Sequence, residues 1–184
     1  MGKTILLALI AGGGGGVSLG LLSPLTKWIN PQGKYSLAVL LCTAVFLLAS
    51  AIVVAALVAS NAVARSNVLV EMYWLIGSVI VSGVIAGVLL PLGVFGFWLA
   101  FASLAFGIAI AVRGFSASAL KGCLGGIAGL IAGGIAATTW GPGSEQFEGD
   151  LGSRIIAGSI SNGLIVFGIT IGLLMSLEKK IGTD

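Results

Sequence analysis

Residues 11–20 read AGGGGGVSLG, five consecutive glycines inside a stretch that carries no charge from Thr4 to Thr26. In water such a run opposes a helix, because each glycine costs about 1 kcal/mol relative to alanine. In hydrocarbon the balance differs. An unpaired peptide group there costs several kcal/mol, so a crossing segment keeps its helical hydrogen bonds whatever its side chains are. How this segment is read decides the fold, and the rest of the chain shows which solvent applies.

Of the 184 residues, 58% are hydrophobic and 8% are charged, against about 25% charged in an ordinary soluble domain. So few charged side chains cannot cover a water-facing surface on a chain of this size, so most of the solvent is lipid. The net charge of +3 is spread along the chain and forms no basic face of the kind that grips nucleic acid, so no nucleic-acid partner is expected. There is no histidine, and Cys42 and Cys123 lie far apart in apolar segments. That spacing offers no metal or redox set, and the cysteines read as small packing residues.

A helix needs about 20 residues to cross roughly 30 Å of hydrocarbon. Stretches of that kind lie at about 4–26, 36–60, 72–90, 94–112, 120–140 and 155–177. The third and fourth belong to one apolar run from Met72 to Val112, about 60 Å long as a helix and twice the membrane thickness. LLPLGVFG at 89–96 supplies the proline and glycine that turn it back. The expected fold is all-α: a polytopic integral membrane bundle of six helices, forming a single transmembrane domain over 1–184.

Lysine and arginine set the orientation. With the N-terminus inside, the inner side holds Lys3, Arg65, Arg113, Lys121, Lys179 and Lys180, and the outer side holds Lys27, Lys34 and Arg154. The excess places both termini in the cytoplasm, and a prokaryotic plasma membrane is the expected location. Trp28, Tyr35 and Trp140 then flank the outer ends, and Tyr73 and Trp74 an inner one, as interfacial rings do. The opening MGKTILLALIA also has the shape of a secretory leader. No clear A-x-A site follows it, and it is read as the first crossing.

In lipid, burying apolar side chains gives no advantage, and helices associate where small residues let backbones approach. Glycines four residues apart share a face. The first segment carries Gly12, Gly16 and Gly20, and the third Gly83 and Gly87. Gly107 lies in a small-residue row of the fourth, Gly125, Gly129 and Gly133 mark the fifth, and Gly168 and Gly172 the sixth. These are the expected helix-packing residues, a glycine-zipper pattern that occurs in many unrelated membrane proteins. Replacing Gly129 is expected to cost more than trimming Leu130 on the neighbouring face. The fragment LIAGG occurs at 9–13 and again at 130–134, which hints at a repeat relating the first hairpin to the last.

Intramembrane ionisable groups mark function, and the apolar segments hold none at mid-depth. Asn162 is the most informative polar residue, because an amide in lipid seeks a partner across a helix interface. The acidic loop GPGSEQFEGDLGSR (141–154) lacks the spacing of a calcium-binding loop. MGKT lacks the glycine-rich half of a phosphate-binding loop, and the glycine run fails GxGxxG in every register. A glycine-lined first helix resembles the inner helix of rotary ATPase ring subunits, but the second segment has no carboxylate to match theirs.

No catalytic, metal or cofactor-binding residue is therefore expected, and no enzyme activity. The composition points to a non-catalytic subunit packed by glycine-rich helices within a larger membrane complex, with lipid and other membrane subunits, or its own copies, as partners. The alternative is a transporter or channel component for a neutral or weakly polar solute, such as the substrate-binding membrane unit of an importer.

Overall fold

A computed structural model describes residues 2–21, 35–60, 73, 76, 77, 80, 81, 84, 94–113, 116–142 and 149–177. Five helices run through it: α1 (Gly2–Gly20), α2 (Tyr35–Ala59), α3 (Val94–Arg113), α4 (Ala117–Trp140) and α5 (Leu151–Leu177). Four stretches are long and apolar enough to cross a membrane: Gly2–Gly20, Leu40–Ala59, Ala117–Trp140 and Leu151–Leu177. By composition and length this is a multi-pass membrane protein.

Four of the six expected crossings meet this criterion among the described residues. The described apolar stretch of α3, Trp98–Ile110, is shorter than a full crossing. The segment expected at 72–90 lies mostly outside the described residues; of it, Tyr73, Ile76, Gly77, Ile80, Val81 and Val84 are helical and exposed. α1 ends at Gly20, with its expected end at Thr26 outside the described residues, and α5 begins at Leu151, four residues before expectation. Ser116 caps α4, its Oγ accepting from the Ala119 N–H at 3.3 Å, the usual service of a serine to an orphan donor. At the far end the Gly141 N–H donates to the Ala137 carbonyl at 3.0 Å, and Pro142 follows, which cannot continue a helix.

α5 is the centre of the bundle and packs against each of the other four helices, with α1 and α4 on its flanks. α2 lies on α1, α3 lies on α4, and α2 meets α3 to close the ring. Two packing modes result. Between α2 and α3 large side chains fill the space: the Phe46 and Phe101 rings lie 5.4 Å apart, tilted by 52°. Val53, Leu57, Leu104, Ile108 and Leu173 are buried in the same cluster. Against α5, α1 and α4 pack through glycine, and there backbone meets backbone.

α5 has 27 residues, about 40 Å of helix, which exceeds the hydrocarbon thickness of about 30 Å. Its first turn is held by polar groups. There Asp150 caps it, Oδ1 accepting from the Ser153 N–H at 2.9 Å, while Arg154 Nε donates to the Gly149 carbonyl at 2.8 Å. The hydrogen bonds from Ser153 hold the Asp150 carboxyl below its ordinary range, since they favour the charged form.

Candidate functional site

The five glycines face different neighbours. A methyl group on Gly16 would lie 2.5 Å from the Gly163 Cα and 2.5 Å from the Ser159 carbonyl oxygen. On Gly12 it would stand 2.8 Å from the Phe167 Cβ and 2.9 Å from the Gly163 carbonyl oxygen, and on Gly15 2.8 Å from Val166. All three positions turn toward α5. Gly14 turns toward α2, where Ile52 lies 3.2 Å from an added methyl, and a methyl on Gly13 meets no described residue within 4 Å. Gly20, a turn beyond, abuts Ser159.

On the opposite flank of α5, the direction in which Gly129 would carry a side chain runs into the Gly168 carbonyl, and that of Gly168 runs into the Gly129 carbonyl. Gly125 and Gly172 oppose each other in the same reciprocal way. Gly133 would place a methyl 2.5 Å from the Leu164 carbonyl oxygen and 2.9 Å from the Ile165 Cα. In these pairs a Cα–H bond points at a carbonyl oxygen, the arrangement in which weak Cα–H···O contacts form. As residue numbers rise along α1 and α4, those of their partners on α5 fall. Both helices are therefore antiparallel to α5 and parallel to each other. α3 runs antiparallel to α4, since Gly122 meets Ala109, Gly126 meets Ala105 and Gly134 meets Trp98.

Of the remaining glycines singled out by spacing, Gly107 is buried in α3, and Gly83 and Gly87 lie outside the described residues. Leu130 requires a correction. Its spacing from the stripe suggests a face where trimming is mild, but it is buried at 3% exposure in the core. The row of which it is part turns toward α3, whereas Ile131 is exposed.

Asn162 also departs from expectation. Its Nδ2 donates to the Gly158 carbonyl at 2.8 Å, one turn back on its own helix, and the bond across a helix interface is not among those of the described residues. The amide is satisfied locally because a carbonyl at i−4 is always within reach of a short polar side chain. Other polar side chains do the same: Ser18 donates to Gly14, Ser50 to Leu47, Thr170 to Val166 and Ser176 to Gly172, all at 2.7–2.8 Å. Thr138 and Thr139 both reach the Ile135 carbonyl. The polar groups that sequence singles out are thus not brought together. Cys42 and Cys123 are free and buried in separate helices.

Open clefts lined by described residues lie on the bundle surface. One, of about 410 Å³, runs between α3 and α4 beside Phe106, Ile110 and Cys123. Another, of about 450 Å³, runs between α1 and α5; Gly12, Gly13 and Gly163 line it together with Leu9, Val17, Ile160 and Phe167. Leu9 and Val17 are exposed beside the bare Gly13. This groove is the feature that spacing alone could not reveal, because which glycine faces outward depends on where α2 and α5 sit. Comparison with protein-family models, curated proteins and solved structures gives no match.

Proposed function

We propose that this chain is a non-catalytic integral membrane subunit that receives a helix of a neighbouring subunit in the α1–α5 groove. The glycine stripes do not themselves carry this reading, because their partners lie within the chain. The supporting observation is Gly13. A methyl added there meets no described residue within 4 Å, and the position is flanked by Leu9 and Val17 and backed by Gly12 and Gly163. A small residue between larger ones is the surface on which membrane helices pack closely. The transport reading instead needs polar groups turned toward a passage. Ser18, Thr138, Asn162, Thr170 and Ser176 bond to carbonyls of their own helices, and Ser159 is the polar residue among those lining the groove.

The same reading places six crossings in the membrane with both termini on the cytoplasmic side, and helix direction supports the number of crossings. A chain changes sides with every crossing, and α1 and α3 run in opposite senses, so an even number of crossings separates them. α2 is one. The other is assigned by this reading to the stretch between Ala59 and Val94, where Tyr73, Ile76, Gly77, Ile80, Val81 and Val84 are helical.

Purification in gentle detergent with mass spectrometry of the intact particle tests the subunit reading. The wild type should carry a stoichiometric protein partner or a second copy. Gly13→Leu should lose it while melting like the wild type. A wild type that purifies alone with a bound small molecule, or a Gly13→Leu variant that keeps its partner, would overturn the proposal.

A further inference from the structure

No further inference is drawn: the strongest candidate, the apolar groove between α1 and α5 lined by Gly12, Gly13 and Gly163, belongs to the site already described, and nothing in the structure shows which chain covers it.

Discussion

The same five residues, LIAGG, occur in α1 at 9–13 and in α4 at 130–134, and the two copies have different surroundings. In each, the first glycine (Gly12 or Gly133) turns toward α5, and the leucines then part: Leu9 is 57% exposed and Leu130 is 3% exposed. The second glycines part as well. A methyl on Gly13 meets no described residue within 4 Å, and Gly134 lies against the Trp98 ring of α3. An internal two-fold repeat would give both copies their second neighbour on the same rotational side. Here α2 and α3 approach from opposite sides, as closing the ring through α2 and α3 requires. The fragment is a shared packing word on α5, and the repeat suggested by sequence does not extend to the helices around it.

The largest effect should come from the α4 side. Gly129→Leu drives a side chain into the Gly168 carbonyl, and a backbone carbonyl in a central helix cannot swing away. Overpacking a soluble core costs about 1–3 kcal/mol, and this variant should reach the upper end or lose the fold. Ile131→Ala, on the exposed face, should melt within a few degrees of the wild type in detergent. Equal melting of the two variants would remove the distinction between the α5 face and the lipid face.

Alanine at two positions of the pentad should separate next. Gly16→Ala places a methyl 2.5 Å from Gly163 and should lower the melting temperature clearly. Gly13→Ala meets no described residue within 4 Å and should be neutral or slightly stabilising, because alanine is the better helix former by up to about 1 kcal/mol in water. Destabilisation by both would mean that Gly13 also packs against protein within the chain.

The α4 copy offers an intermediate test. Gly134→Leu should collide with Trp98, but an indole at a helix surface can move where a carbonyl cannot, so the loss should be smaller than at Gly129. Trp98→Ala should recover part of that loss in the double variant, giving a coupling energy of about 0.5–3 kcal/mol, as for residues in contact. Strictly additive effects would show that the ring does not cover Gly134 in solution.

The smallest effect belongs to the helix that both copies share. The Asp150 carboxyl is held below its ordinary range by Ser153, so its charged form stabilises the cap of α5. That contribution is present above the ordinary carboxylate range and is lost as pH falls through the lowered native value. Asp150→Asn keeps an accepting side-chain oxygen and removes the titration. Melting of the two proteins should differ slightly at neutral pH and converge as pH falls below the ordinary carboxylate range, and parallel pH profiles would show that the cap is not formed.

Much of this architecture is legible in the chain before any coordinates. A composition with 8% charge demands lipid, and lipid demands helices, because no water is present to satisfy an open backbone. Four-residue spacing puts Gly125, Gly129 and Gly133 on one face by geometry alone. Charges and caps such as Ser116 mark where helices stop. Asn162 was beyond this kind of reading. Whether an amide crosses an interface or returns to its own Gly158 carbonyl depends on what stands opposite, and no spacing encodes that.

The sequence by itself determined the solvent, the helical state and which residues share a face, since these follow from transfer energies and the 3.6-residue period. Only the tertiary structure decided which face meets which helix. It made α5 the centre, buried Leu130, left Leu9 exposed, and turned Gly13 outward while Trp98 covers Gly134. The physical reason is that lipid is as apolar as the side chains it touches. Hydrophobic pattern therefore cannot distinguish a lipid-facing residue from a buried one, and the neighbours are chosen by shape.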